Sequence, residues 1–436
     1  MKTKVIIFLN SMLLAISFVS CLKVPDEEPE RKVIIIPDEN EPFNTNTQTT
    51  FVKNAVIITF IDGHTLVNNP MEGNGVMINI DGQNVTINAE VPDIEVNYVL
   101  SGITNAGSVK IYSNYKIGLV LNGVSIQNPT GAAINIQSSK KVSVTLVDNT
   151  SNRLIDEGNY QMTEGERMNG AFYSEGQLVF DGAGSLLVYG NYGHAIAVHD
   201  YIEMNSGNIT VNHANQDGIR CRKYFQMNGG SVNINAKSDG VVCTNGYVTI
   251  NRGDIKINNG GTGLKSNENI AITGGKVEIE SLDSGISAES NIVVTGSEVY
   301  CNSGRNGFVS KNGTIAVIGG TIVSSATRNV FDGKKFLITG GTAIGVGSAT
   351  TAPTASECRQ QTIVWNASKF TVGQLISIKS SDDEIMSFKL PKAYSGKMTL
   401  VYTSPLLQAD TGYTIYKGGT AVATFNTSNM VTTVGK

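Results

Sequence analysis

The sequence predicts an all-β protein whose body is a right-handed parallel β-helix, and three observations carry that expectation. The first is a repeat. Between about Tyr201 and Val346, units ending "NSG", "NGG", "NRG", "TGG" or "IGG" place a glycine at Gly207, Gly230, Gly253, Gly275, Gly320 and Gly341, with Ser297 substituting once, at intervals of 23, 23, 22, 22, 23 and 21. Self-similarity at a fixed period of this length marks a stack of supersecondary units. The second is alternation within each unit. Apolar residues stand five before the glycine (Ile202, Phe225, Val248, Ile270, Ile292, Ile315, Phe336), three before it (Met204, Met227, Ile250, Ile272, Val294, Val317, Ile338) and two after it (Ile209, Val232, Ile255, Val277, Val299, Ile322, Ala343). Polar residues fall between them in the early units (Glu203, Gln226, Thr249), which is the two-residue period of half-buried strands rather than the spacing of a helix. The third is unit length. About 22 residues with three short strands suffice for one turn of coil, with successive turns ~4.8 Å apart and each rung burying its neighbours' faces. The right hand follows from the strong bias of parallel-strand crossovers.

Residues 1–20 carry Lys2 and Lys4 followed by the apolar run Val5 to Val19, the pattern of a secretory signal. The run ends Phe18-Val19-Ser20-Cys21, which resembles a bacterial lipobox and makes Cys21 the expected lipidated first residue of the mature chain. Residues 21–50 read as a lipid-anchored flexible tether, acidic at Asp26-Glu27-Glu28 and then rich in Asn, Thr and Pro. Residues 51–107 read as a strand-rich segment with Asp-Gly and Asn-Gly turns. The β-helix is expected over 108–349, with its period broken at 156–169 by an expected protruding loop. Residues 358–436 read as a C-terminal β module capping the open end, where uncapped strand edges would invite aggregation.

Composition narrows the function. A net charge of −4 with charged residues at 16 % and 47 glycines suits an exported β-rich chain. No basic stripe points to nucleic acid, and no second apolar run is long enough to span a bilayer. Four cysteines remain besides Cys21. Cys221 and Cys243, 22 apart, are expected to stack on adjacent turns, as a disulfide or as a pair of small buried side chains. Zinc-site spacings are absent.

Chemistry is expected on two ladders. Nine or ten residues after each glycine comes a polar row, Asp217, Asp239, Thr262, Ser284, Asn306 and Asn329, mostly followed by a glycine that suits a tight corner with an unusual backbone angle. Such residues also make turns by bonding their own backbone. Asp217 and Asp239 would nonetheless bring two carboxylates onto adjacent turns, where a hard dication such as calcium, with oxygen ligands at ~2.3–2.6 Å, could bind both. Asp283, one position off the row, is a candidate for a second metal site. Six residues before their glycines, Tyr201, Tyr224 and Tyr247 share an outward row, either a sugar-binding platform or a stack that stabilises the coil. Arg220 and Lys265 lie two positions after corner glycines, where a polysaccharide lyase would need a base beside calcium. The four histidines show no informative partner.

The runs "GVSIQNPTGAAINIQSSKKVSVTLVDNTSNRLID", "GAFYSEGQLVFDGAGSLLVYGN", "SGNITVNHANQDGIR", "NGGSVNINAKSDGV" and "TGLKSNENIAITGG" resemble the calcium-coordinating, carbohydrate-binding parallel β-helix family of bacterial surface lipoproteins. The resemblance covers about 95–345, with "YTSPLLQADTGYTIYKGG" similar to the family's C-terminal strand module. It implies binding of polysaccharide, including acidic pectic polymer, at a site similar to that of family 9 pectate lyases. The family's Asp-Gly-Ile corners match at Asp217-Gly218-Ile219 and Asp239-Gly240-Val241, whereas Thr262 and Ser284 stand where the family has further Asp. The expected function is therefore non-catalytic, calcium-assisted binding of acidic glycan by an outer-membrane or cell-surface lipoprotein. A calcium-dependent lyase using Lys265 or Arg220, and a structural stalk or adhesin, are the alternatives.

Overall fold

The computed structural model describes residues 55–381 and 383–435. The signal, Cys21 and the tether lie outside the described residues. The described chain is nearly all strand, winding through about 11 solenoid turns and ending in a separate antiparallel sheet.

Three strands per turn stack into three parallel faces. The first face runs from Val142–Leu146 through Leu178–Gly182, Ile202–Met204, Tyr224–Met227, Tyr247–Ile250, Ile270–Ile272 and Ile292–Val294. The second includes Asn208–Ala214, Ser231–Ala236, Asp254–Asn259, Lys276–Ser281 and Glu298–Ser303. The third includes Gly170–Ser174, His194–Val198, Ile219–Cys221, Val241–Cys243, Leu264–Ser266 and Ser284–Ala288. Registers pair like with like. Phe225 sits between Ile202 and Val248, Met204 above Met227, and Val232 between Ile209 and Ile255. All three predicted apolar rows are buried, so side chains alternate into the lumen and out to solvent along each strand. A fully buried side chain of this kind stabilises by about 1.5–3 kcal/mol relative to exposure.

The two sets of glycines do different work. The anchoring glycines hold left-handed backbone, with φ of +93° at Gly207 and +78° at Gly230. The corner glycines were expected to need an unusual backbone angle, and they do not: none of Gly218, Gly240, Gly263, Gly285 and Gly307 has positive φ. The reason is space. A Cβ at Gly240 would lie 2.5 Å from the Gly263 carbonyl oxygen on the next turn and 2.5 Å from Ile257 Cγ2.

The ladder extends upstream through the strand-rich segment. Two antiparallel hairpins, Val56–Ile61 with His64–Asn68 and Val76–Asp81 with Gln83–Ala89, add to it in parallel through Val96–Thr104 and Gly107–Ser113. Residues 157–169 fold back onto the coil rather than protruding. Gln161 N–H donates to Thr130 O (2.8 Å), Glu166 pairs with Lys110 (2.9 Å), and Gln137 Nε2 donates to Arg167 O (2.9 Å). At the other end, Tyr394–Thr403 pairs antiparallel with the last rung strand, Thr342–Gly347, and with Thr362–Phe370. The cap is fastened by Tyr394, whose hydroxyl donates to Ala326 O (2.9 Å), and by Lys392, which donates to Asn302 and the Ser303 carbonyl.

Candidate functional site

The corner leading into the third face carries the polar row expected from the sequence, and the row begins one turn earlier, at His194. His194, Asp217, Asp239, Thr262 and Ser284 each stand two positions before a registered strand residue. Each carboxylate bridges downward: Asp217 Oδ1 accepts Asp239 N–H (3.1 Å) and Asp239 Oδ1 accepts Thr262 N–H (2.6 Å). The second oxygens take cations from the third face. Arg220 donates to Asp217 Oδ2 (2.8 Å), and Lys265 reaches back a turn to Asp239 Oδ2 (2.7 Å). Asp283 does not join them. It stands off the row and faces Arg305 at 3.3 Å.

Around the next corner, between the third face and the first, the three tyrosines form a continuous stack. Ring centroids of Tyr201 and Tyr224 are 4.4 Å apart at 7°, and those of Tyr224 and Tyr247 are 5.1 Å apart at 4°. Burial, and the bond its hydroxyl donates to Glu203 (2.8 Å), push the Tyr224 phenol above its ordinary range. Stacking along the coil uses up the inner ring faces, leaving edges, hydroxyls and the end face of Tyr247, which is 36 % exposed. Below Tyr247 the row becomes Asn269 and Asn291. Asn269 Oδ1 accepts Asn291 N–H (3.1 Å) and Nδ2 (3.0 Å). A ring face therefore overhangs a short amide ladder.

A family model described as carbohydrate-binding domain-containing protein matches residues 81–281 and 258–405, together well over half of the chain. The chain belongs to that family. Among curated proteins, no match was found. Among solved structures it is similar to the "polysaccharide lyase-like protein from C. thermocellum, Gadolinium derivative", with 22 % identity, 61 % of this chain and 92 % of that chain covered, and a TM-score of 0.43.

In this carbohydrate-binding domain the Asp217/Asp239 corner does not fit a dication as it stands. All four carboxylate oxygens already accept a bond from the protein, and the compensating positive charge comes from Arg220 and Lys265. No group of three or more potential metal ligands occurs among the described residues. The same pairs bear on the lyase alternative. A general base needs an unprotonated nitrogen facing substrate, and here both side chains face carboxylates. Cys221 and Cys243 are buried free thiols on adjacent turns, with Sγ atoms 2.8 Å apart.

The sequence reading missed His194 as the partner of Asp217, although the 23-residue interval to Asp217 was the signal for it. Its Nδ1 accepts Asp217 N–H (3.2 Å), so that nitrogen carries no proton and its 3.4 Å approach to Asp217 Oδ2 is not an ion pair. Burial pushes the imidazole down to about 4, with Asp217 opposing. The unfolded chain takes up this proton near pH 6.5 and the folded chain only near 4. The stability is therefore fully present above pH 6.5 and is lost as pH falls toward 4, by about 2–3 kcal/mol. Thermal melts should show wild type losing stability across that window relative to His194→Gln. Parallel pH profiles for the two proteins would remove the assignment.

Proposed function

We propose that the protein binds polysaccharide without cleaving it, laying the chain along the third face and the tyrosine corner beside it. The observation that carries this reading is Tyr247, 36 % exposed at the end of the ring stack and next to the Asn269–Asn291 ladder. A pyranose presents an apolar C–H face and a rim of hydroxyls, and an aromatic face next to amide groups matches both. Along the third face the row Tyr173, Ala197, Arg220, Val242 and Lys265 reaches solvent at Arg220 and Lys265, while Tyr173 and Ala197 are buried with Met168 of the 157–169 loop and Val242 is buried too. The finer reading is an acidic, pectin-like polymer. Calcium is kept as an arm of the test, since at the Asp217/Asp239 corner it would have to displace Arg220 and Lys265.

Calorimetric titration with a panel of neutral and acidic oligosaccharides, with and without calcium, tests the proposal. Tyr247→Ala is expected to weaken binding roughly tenfold, the equivalent of about 1.4 kcal/mol, while leaving the melting temperature close to wild type. No ultraviolet-absorbing unsaturated product should form from polygalacturonate with added calcium. Its appearance would establish the lyase alternative. Binding of no glycan at all, with capture of a protein partner instead, would favour the structural stalk or adhesin.

A further inference from the structure

Just past the third face lies a second cluster that the sequence reading did not join: His199 and Arg222 stand 23 residues apart on adjacent turns, and their third member comes from a loop outside the period. Arg167, in the loop 157–169, places Nη1 3.0 Å from Nδ1 and 2.9 Å from Nε2 of His199. Arg222, one turn below His199, places its Nη1 3.2 Å from the same Nε2. These residues, with Asn169, Tyr173 and Thr244, line a cleft of about 280 Å³ open to solvent.

The donors here outnumber their acceptors. A guanidinium has five N–H groups and a neutral imidazole has one acceptor nitrogen, so His199 cannot satisfy both arginines. Among the described residues neither Arg167 nor Arg222 has a carboxylate within ion-pair distance, and the nearby acidic groups are engaged elsewhere. Asp217 is taken by Arg220, Asp200 by Lys223, and Glu175 accepts the Tyr173 hydroxyl. Two uncompensated positive charges thus face one cleft in a chain whose net charge is −4. Their Nη1 atoms touch one ring nitrogen, so they are at most about 6 Å apart (2.9 + 3.2). One planar or tetrahedral oxyanion can accept from both at that separation. The cleft is built rather than incidental. Gln137 holds the Arg167 carbonyl, and buried Met168 anchors the loop through contacts of Sδ with Ala132 N (3.4 Å) and Asn135 Nδ2 (3.3 Å).

We propose that Arg167, Arg222 and His199 form an anion subsite that takes an acidic substituent, a carboxylate or a sulfate ester, of the bound glycan. The inference rests on the polysaccharide-binding reading and assigns to these residues the preference for charged sugar. Titration of the purified protein with oligogalacturonate, its fully methyl-esterified form and a sulfated galactan oligosaccharide tests it. Wild type is expected to bind one of the charged ligands at least tenfold more tightly than the neutral ester, and whichever is preferred identifies the oxyanion. The exposed pair Arg167→Gln/Arg222→Gln should abolish that preference while keeping its affinity for the ester. The exposed control Lys223→Gln should keep the preference. Equal affinities of wild type for charged and esterified ligands, or a preference that survives in the double variant, would overturn the inference while leaving polysaccharide binding intact. Should no oligosaccharide bind, the function reading fails by itself, and inorganic sulfate then tests the subsite. A melting-temperature rise in wild type but not in the double variant supports it, and equal responses overturn it.

Discussion

Phe225→Ala is expected to lower the unfolding free energy by about 3–5 kcal/mol, the range for emptying a large aromatic site in a packed core. Phe225 is 1 % exposed and lies in register between Ile202 and Val248 on the first face. A coil can close such a gap only by bringing adjacent rungs together, and the rung spacing is fixed by the backbone ladder. The cavity should therefore persist, and because each rung contacts only its neighbours, the lesion divides the stack. Denaturant unfolding followed by circular dichroism would show either a lower midpoint or a second transition. A single transition with an unchanged midpoint would mean that Phe225 is not a core rung.

Asp217→Ala is expected to cost about 3–4 kcal/mol, and Asp217→Asn clearly less. The Asp217 side chain is 7 % exposed and accepts from two neighbours, Arg220 and the Asp239 N–H of the next turn, while the Asp217 backbone N–H donates to His194 Nδ1. Alanine removes both acceptor contacts at once and keeps only the backbone donor. Breaking a buried pair by deleting one member typically costs 3–5 kcal/mol, and Arg220, 41 % exposed, can recover part of that by turning to water. Asparagine keeps the oxygen that accepts from Asp239 and loses the charge together with the oxygen that faces Arg220, which becomes an amide NH2. Melting temperatures ordered wild type, Asn, Ala would support this reading. Equal losses for both would show that the charge alone matters.

The fold was legible because burial in this architecture depends on one number, the repeat length. Residues a constant interval apart lie over one another, so Met204 above Met227 and Tyr224 above Tyr247 could be placed by subtraction. The same subtraction reaches His194 from Asp217, but that corner lacks the Asp-Gly signature that drew attention to the row. What composition cannot distinguish is why a glycine is needed. Gly207 needs its backbone angle and Gly240 needs room, and both read as the same letter. Long side chains were the other gap. Lys265 satisfies a carboxylate one turn away from its own, which turned an expected pair of bare acids into compensated ones. Arg167 lay beyond reach of the method altogether, since a segment outside the period has no rung to assign it to.

The reversed strand at the downstream end has a consequence for size. A parallel rung can template another of the same kind, whether from the same chain or from a neighbouring molecule. Tyr394–Thr403 occupies the hydrogen-bonding edge of Thr342–Gly347 and runs the opposite way. Growth at that end would require peeling it off, together with the sheet it pairs with. The number of coils is therefore written into the polypeptide and does not drift with protein concentration, as it would in a fibril.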